Sequence, residues 1–333
     1  MASESAGGIK IARAPWWERN LGWLLLSPAF VMFIVFAFAP TYYSVRYALS
    51  HVKLVRGNLD LTYIGLDNFR RAFEDPLVRQ SVRTTLQWTV FVTAVEVFFG
   101  LLLALLMTQN IRWKPALTSI LIVPIILPPV SVSIAWRYMY NQQSGIVTYV
   151  VQQIGWNEPG WLSESDGVFD VLGIGAAVHW LPGPIERFIN VPFALLSMMV
   201  VDIWQVTPFA FLLLYAGLTA IPRDPYEAAA IDGASTWFTL KTVTLPMLRP
   251  VLLVVILLRL IDSARIFDKI FLMTRGGPGS TGYTMTLTAY VSAFDKLDIG
   301  YAAALSFIFQ ILLIVAGTIY VKRVLTDYSA PTA

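Results

Sequence analysis

Six predominantly apolar runs, each long enough to cross a lipid bilayer, set the first constraint on this sequence. They lie near 21–45, 84–107, 116–140, 193–219, 249–273 and 301–323. An α-helix rises about 1.5 Å per residue, so about 20 residues cross a hydrocarbon core of about 30 Å. Only 14% of the residues are charged, whereas a soluble domain is about 25% charged. The sequence therefore predicts an all-α polytopic membrane protein with six transmembrane helices.

The first apolar run is too long for a cleavable signal peptide. Its apolar stretch of about 20 residues exceeds the roughly 7 to 15 of a signal-peptide core, and no small-residue cleavage site follows it. Trp16, Trp17 and Arg19 precede it, and such residues favour the membrane interface. We expect this run to remain in the protein as a membrane anchor.

The distribution of basic residues predicts which side of the membrane each loop faces. Short connections at the cytoplasmic side are rich in Lys and Arg. The turn between the second and third spans carries Arg112 and Lys114, and Lys322 and Arg323 directly follow the last span. The long segments 46–83 and 141–192 are then external; the first is also basic, but long loops count less in this rule.

An even number of spans places both chain ends on the same side of the membrane. With the basic turn facing inward, we expect a cytoplasmic N-terminal tail at 1–20 and a cytoplasmic C-terminal tail at 324–333, flanking a six-helix transmembrane domain at 21–323. The sequence therefore predicts a multi-pass membrane protein.

Several classes of chemistry find no support in the sequence. There is no cysteine, and no G-x-x-x-x-G-K-[ST] motif that could hold ATP phosphates. His51 and His179 lie in separate predicted loops, without partners at metal-ligand spacing. The net charge is +3 without a block of five basic residues, so we expect no nucleic acid partner. We therefore predict no catalytic residue, no metal site and no cofactor in this chain.

The connection 220–250 between the fourth and fifth spans carries the most specific local pattern. Asp224, Pro225 and Glu227 match the cap, first and third positions of a helix with a capping box. Alanines at 228–230 give this helix only small side chains, and Gly233 suits a turn with positive φ. Taken alone, the pattern also fits a plain helix resting on the membrane surface.

The spacing of this connection resembles the EAA loop of permease subunits from binding-protein-dependent ABC importers. Glu-Ala-Ala at 227–229 is followed by Asp-Gly-Ala at 232–234 and by Val-Thr-Leu-Pro at 243–246. The segments GLDNF at 65–69 and GGP at 276–278 are similar to the maltose-type carbohydrate importers. Arg83, where these permeases often have Asn, and a longer external segment near 163–190 depart from the pattern.

The resemblance implies that 21–323 is a permease domain in the bacterial cytoplasmic membrane, with a type I ABC importer permease fold and a cytoplasmic coupling helix between helices 4 and 5. It implies that this coupling loop docks on an ATPase subunit through Glu227, Ala228, Ala229, Asp232, Gly233, Ala234 and Pro246. The implied partners are a second homologous permease, two copies of the ATPase, which bind ATP and Mg, and an extracytoplasmic sugar-binding protein. The implied cargo is a di- or oligosaccharide, a related polyol or a sugar derivative, moved by alternating access.

Charges inside the predicted spans are candidates for the substrate pathway, because buried charges usually face a polar interior. Arg259, Asp262, Arg265 and Asp268 recur every three residues in the fifth span. They form either a self-neutralising structural ladder or part of a pathway that binds sugar hydroxyls. The full set of pathway candidates is Asp202, Trp204, Gln205, Asp262, Arg265 and Asp268.

Two other classes of function are open to a chain with these spans. An ion-coupled secondary transporter would need inverted repeats and ion-binding broken helices. An intramembrane enzyme would need a nucleophile or a metal cluster. Neither class accounts for the spacing from 227 to 246, so the importer permease is the preferred prediction.

Overall fold

The computed structural model describes residues 16, 20–55, 58–155 and 160–325 of the chain, and most of them are helical. In chain order the elements are α1 (Leu21–Ala48), β1 (Ser50–Val55), β2 (Asn58–Tyr63), α2 (Asp67–Glu74), α3 (Pro76–Thr108), α4 (Lys114–Ile126), α5 (Pro129–Met139), α6 (Ile146–Gln153), α7 (Val168–Val171), α8 (Gly183–Ile189) and α9 (Phe193–Thr219). They continue with α10 (Asp224–Ile231), α11 (Thr236–Thr239), α12 (Leu245–Ala264), α13 (Asp268–Thr274), α14 (Met285–Tyr290) and α15 (Ile299–Tyr320). Most of the predicted tails, 1–20 and 324–333, lies outside these described residues.

Five helical stretches are long and apolar enough to cross a membrane. They are Leu21–Ala48, Pro76–Thr108, Phe193–Thr219, Thr236–Thr274 and Ile299–Val324. The pair α4 and α5 makes the sixth when it is counted as one span, although its halves are bent by 94°. The predicted all-α membrane fold is confirmed, and the fourth span has the predicted bounds.

Helix capping explains why the second span begins earlier than hydropathy predicts. Its apolar run starts near 84, but α3 starts at Pro76 with Asp75 as its N-cap. The Asp75 carboxylate accepts a hydrogen bond from the Leu77 amide at 2.8 Å. Proline is favoured in the first turn, because it has no amide hydrogen there to leave unpaired. The polar first two turns of α3 thus extend the span outside the apolar run.

The break in the third span follows from its prolines. Leu127 precedes Pro128, and a residue before proline avoids the helical conformation. Leu127 is extended at ψ 134°, and α5 restarts at Pro129. The Leu127 carbonyl, which has left the helix, accepts a hydrogen bond of 2.8 Å from the Gln205 side-chain amide of α9. A carbonyl freed within the bilayer thus finds a donor from a neighbouring span, as the absence of water there requires.

The centre of the molecule is the crossing of α3 and α9. Trp88 of α3 and Met198 and Phe211 of α9 are fully buried. Near this crossing a Cβ added to Gly100 would meet the Ala210 Cβ at 2.7 Å and the Phe211 backbone nitrogen at 2.9 Å. Small residues at such positions let helix backbones approach closely, as is common in membrane proteins.

The segments predicted to be external contain structure that a purely helical prediction omits. β1 and β2 form an antiparallel hairpin, with Ser50 paired to Tyr63 and Val55 paired to Asn58. The Asn68 side-chain amide donates to the carbonyls of Ala48 and Ser50, both at 3.0 Å. These bonds hold α2 against the end of α1.

In the second segment predicted to be external, a cap formed by residues 163–190 contains one histidine that contacts two carboxylates. The imidazole Nε2 of His179 lies 2.9 Å from Asp170, and its Nδ1 lies 2.7 Å from Glu186. These two acids raise the pKa of His179, mainly through the contact with Glu186. Because a neutral imidazole donates from one nitrogen only, the protonated ring is the form that donates to both carboxylates.

The helix crossing makes a specific packing prediction. Gly100→Ala should lower the free energy of unfolding by about 1 to 3 kcal/mol, because the added methyl group meets backbone atoms that cannot move independently. The matched control is Gly317→Ala, since a Cβ there meets nothing within 4 Å. Thermal unfolding of both variants in detergent checks this, and equal midpoints would contradict it.

Candidate functional site: a charged cavity and an exposed loop

A cavity of about 660 Å³ lies where the third and fifth spans are both broken. Its walls come from the end of α4, the start of α5, the middle of α9, and the junction of α12 with α13. Residues that line it include Leu127, Asp202, Gln205, Arg259, Asp262, Arg265, Asp268 and Lys269. Its size falls in the range of about 300 to 1,000 Å³ that is common for small-molecule sites.

One buried ion pair joins the second span to the fifth beside this cavity. Arg259 of α12 donates to Glu96 of α3 from Nε at 2.6 Å and from Nη2 at 3.1 Å. Both side chains are almost fully buried, at 3% and 0% exposed. Glu96, which looks isolated in the sequence, therefore has a two-bond partner 163 residues away.

A second buried ion pair joins the fourth span to the end of the fifth. The Lys269 ammonium of α13 lies 2.5 Å from the Asp202 carboxylate of α9. Both side chains are at most 5% exposed. Asp202 therefore lines the cavity with its charge already paired, and Lys269 is a site residue that the three-residue spacing did not include. Its only sequence signal was a basic residue in an apolar span that also contained the other charges.

The exposed rim of the cavity carries the rest of the predicted charge ladder. Asp262 accepts from Arg259 at 2.6 Å, and its other oxygen lies 4.0 Å from Arg265. Asp262 and Arg265 have side chains 65% and 59% exposed. Within the described ranges Asp268 has no ion-pair partner within 4.0 Å. Arg259, at the buried end of the ladder, is therefore paired inside the protein, whereas Asp262 and Arg265 are exposed at the cavity.

Gln205 has an unsatisfied polar atom at the cavity wall. The residue is only 3% exposed, and its amide nitrogen donates to Leu127 as described above. Its Oε1 has no hydrogen-bond partner in the part of the chain that the structure describes. An unpaired buried acceptor is unfavourable, and this one belongs to a residue that lines the cavity.

Trp204 is not among the residues lining this cavity. It packs against Trp136 of α5 with ring centroids 5.6 Å apart. Successive helical residues are turned by about 100°, so Asp202 and Gln205 share a face while Trp204 points elsewhere. The three side chains therefore do not share one face of α9, and only Asp202 and Gln205 line the cavity; the assignment of each to the substrate pathway stays a prediction.

The connection between the fourth and fifth spans is a short helix with an exposed surface. None of the residues of α10 is buried, and Ile231 at its end is 86% exposed. The Tyr226 hydroxyl donates to the Thr244 hydroxyl at 3.3 Å, which connects α10 to the π-helical turn Leu240–Thr244 before α12. The loop is thus attached to the membrane domain by this hydrogen bond, and it exposes apolar residues such as Ile231.

The predicted capping box at the start of α10 does not form. The N-cap is Arg223, one residue earlier than predicted, and it provides no side-chain hydrogen bond. Asp224 is already helical, so it serves instead as an acidic first-turn residue beside Pro225. Such a charge is favourable near a helix N-terminus.

The predicted turn after α10 is present. Gly233 has φ +70°, a conformation that glycine adopts without strain. The amides of Gly233 and Ala234 donate to Ala230 and Ala229 at 3.1 and 2.9 Å, which close the helix end. Pro246 lies in the first turn of α12, so the predicted coupling residues span one helix, one turn and the start of the next helix.

A metal site finds no geometric support in the ranges that the structure describes. There, no three His, Asp or Glu side chains lie close enough together to hold an ion. The only histidine in the 163–190 cap, His179, uses both ring nitrogens on carboxylates.

Sequence comparison identifies the family. Residues 96–325 match the family described as binding-protein-dependent transport system inner membrane component. The chain belongs to this family. The match includes both the cavity and the exposed loop, so the resemblance drawn from the loop spacing is confirmed, and the importer permease family accounts for most of the membrane domain.

Curated relatives match over almost the whole chain. The trehalose/maltose transport system permease protein MalF of Thermococcus litoralis is 30% identical over 305 residues, 92% of this chain and 94% of that protein. The trehalose transport system permease protein SugA of Mycobacterium tuberculosis is 29% identical, covering 92% and 89%. The sulfoquinovosyl glycerol transport system permease protein SmoG of Agrobacterium fabrum is 28% identical, covering 93% and 92%.

Solved structures confirm the fold. A chain from a bacterial ABC transporter that imports the acidic polysaccharide alginate superposes with a TM-score of 0.74 at 18% identity, covering 91% of this chain and 95% of that one. A second structure, of an alginate transporter in complex with a pentasaccharide-bound periplasmic protein, gives 0.73 at 17% identity, covering 93% and 96%. The membrane domain therefore has the importer permease architecture.

The Glu96 and Arg259 pair gives a stability prediction. Glu96→Leu should lower the free energy of unfolding by about 3 to 5 kcal/mol, because it leaves Arg259 buried with only the exposed Asp262 as partner. Adding Arg259→Met should recover most of the loss, since an apolar pair removes the uncompensated charge. Thermal unfolding in detergent measures both variants. A double variant no more stable than Glu96→Leu alone would be inconsistent with this account.

Proposed function

We propose that this chain is the membrane permease subunit of an ATP-driven importer that receives a sugar from an extracytoplasmic binding protein. The observation that carries the proposal is the exposed loop 220–250, whose spacing is that of the EAA loop and whose helix buries no residue. Exposed apolar residues on a short, well-anchored helix are typical of a surface that docks into a partner groove.

We infer that the complex contains a second homologous permease and two copies of an ABC ATPase. The ATPase copies bind ATP and Mg, and this chain catalyses no covalent step. The coupling residues Glu227, Ala228, Ala229, Asp232, Gly233, Ala234 and Pro246 dock in the ATPase groove. Both termini and the coupling loop 220–250 lie on the cytoplasmic side.

The transport step is alternating access around the charged cavity. Closure of the ATPase pair moves the coupling loop, and the spans exchange an inward-open for an outward-open arrangement. One continuous span supports this mechanism, because Thr236–Thr274 extends from the loop to the cavity wall. Movement of the loop is thereby transmitted to Arg259 and Lys269.

The cavity suits a neutral polyhydroxylated cargo. Among the residues that line it, three acids (Asp202, Asp262 and Asp268) balance three bases (Arg259, Arg265 and Lys269). The unpaired Gln205 Oε1 is an acceptor for a sugar hydroxyl. The names of the trehalose/maltose and trehalose relatives agree with a neutral sugar or polyol, and we assign this chain a cargo of that class.

Docking on the ATPase predicts the effect of a loop substitution. Gly233→Leu should release the ATPase on purification, because it adds a bulky side chain on the exposed loop and forces it to a positive φ. The control is Gly173→Leu, since Gly173 has φ +71° and also meets nothing within 4 Å, but lies in the predicted external cap. The measurement is ATPase content of the purified complex. Full content in the Gly233 variant would contradict docking through this loop.

The cavity assignment predicts a loss of uptake. Gln205→Met should lower sugar uptake per assembled complex by about 2- to 10-fold, since one hydrogen bond contributes about 0.5 to 1.5 kcal/mol. Thr207→Val is the control, because the Thr207 hydroxyl on the same helix is also buried without a partner among the described residues but does not line the cavity. Equal normalised uptake in both variants would remove Gln205 from the pathway.

A further inference from the structure

A second large cavity lies between the coupling loop and the membrane domain. Its volume is about 700 Å³, and it is enclosed by the ends of α3 and α9, the start of α4, and the inner side of α10 and α11. Ala230 of α10 and Ala234, one of the residues proposed to dock on the ATPase, line this cavity, while Glu227 and Gly233 do not. The cavity shares no lining residue with the charged cavity, and it borders the surface proposed to dock on the ATPase.

The charged residues lining this second cavity have one sign. Lys114 and Arg223 line it, and no Asp or Glu does. Neither cation has a carboxylate within 4.0 Å anywhere in the described parts of the chain. The Lys114 ammonium instead lies 5.2 Å from the centroid of the Tyr215 ring, which holds it in place without neutralising it. Lys114 is half-buried and Arg223 is exposed, so the cavity has a net positive lining that a soluble or lipid anion can reach.

Polar groups complete the lining. Gln109 and the Thr236 hydroxyl also line the cavity, and so does Tyr226, whose hydroxyl donates to Thr244. Hydroxyl and amide groups donate hydrogen bonds to anionic oxygens, and Arg and Lys are the residues that most often bind phosphate. Cations, hydroxyls and one amide together match the chemistry of a phosphate group.

Aromatic residues mark the depth of the cavity in the membrane. Trp113 directly precedes Lys114, and Trp237 directly follows Thr236. Their side chains are 72% and 73% exposed. Exposed tryptophans at the ends of membrane helices lie at the headgroup level, which is also the depth of lipid phosphates.

We infer that this cavity binds a phosphate group, supplied by the headgroup of an anionic lipid or by a free phosphate compound. The charge and the lining fix the phosphate chemistry, and the two tryptophans favour the lipid as its source. Basic pockets between helices on the cytoplasmic side bind acidic headgroups in this way. The bound phosphate would lie between the coupling loop and the membrane domain, bridging Arg223 of the loop to Lys114 of the membrane domain.

The test is native mass spectrometry of the purified, delipidated full complex, titrated with phosphatidylglycerol or with phosphatidylcholine of the same acyl chains. We expect one site that prefers phosphatidylglycerol. Lys114→Gln with Arg223→Gln should weaken it about 30-fold, which corresponds to about 2 kcal/mol at about 1 kcal/mol per cation. Arg223→Lys, which keeps the charge, should retain most of the binding.

The matched control removes the same charge from the same side of the membrane. Lys322 and Arg323 are exposed and do not line the cavity, so Lys322→Gln with Arg323→Gln should leave the site intact. An equal loss in both double variants would show general surface attraction, and unchanged binding in the Lys114 and Arg223 variant would show no site. Either result overturns the inference.

Competition between inorganic phosphate and phosphatidylglycerol identifies the source of the phosphate group. If millimolar inorganic phosphate does not displace phosphatidylglycerol, the site takes a lipid headgroup. If inorganic phosphate displaces it and itself binds with the same dependence on Lys114 and Arg223, the site takes a free phosphate compound. Both results support a phosphate site and assign its source.

Discussion

Backbone that leaves the helical conformation inside a membrane must be enclosed by protein or face a cavity, because no water is present to pair it. This constraint places the two breaks of the structure side by side. The third span is broken at Leu127, and the fifth at 265–267. Both breaks line the same cavity, and Gln205 of the intact fourth span closes the first break by hydrogen bonding. The central cavity is therefore a consequence of how the broken spans are satisfied.

The same arrangement connects the two ends of the molecule. The stretch Thr236–Thr274 begins at the exposed loop and ends at the cavity. Along it, Arg259 is fixed to the second span and Lys269 to the fourth. Arg259 lies on α12 and Lys269 on α13, so this stretch is anchored to a different neighbour on each side of the break at 265–267. The cavity and the loop are thus joined by one continuous stretch of chain.

Hydropathy and local residue patterns predict much of this architecture, but they do not predict ion pairs between residues that are distant in the sequence. The span Phe193–Thr219 and the turn at Gly233 depend on nearby residues, so the sequence predicts them well. The partner of Glu96 lies 163 residues away, and no local pattern indicates it. The 94° bend after α4 does not follow from the local sequence, because a proline breaks a helix without fixing the angle between its halves. The hairpin was missed although alternation in 50–63 indicated it.

The chain order of the buried charges has a consequence for biosynthesis. A charged residue near the centre of a membrane helix opposes insertion by about 2.5 to 3.5 kcal/mol. The fifth span brings Arg259 and Lys269, and each has its acid in a span that precedes it in the chain. Glu96 and Asp202 are therefore already in the membrane when their bases emerge from the ribosome. The nascent fifth helix enters a bilayer that holds both of its counter-ions, so its insertion depends on the earlier spans staying near the site of entry.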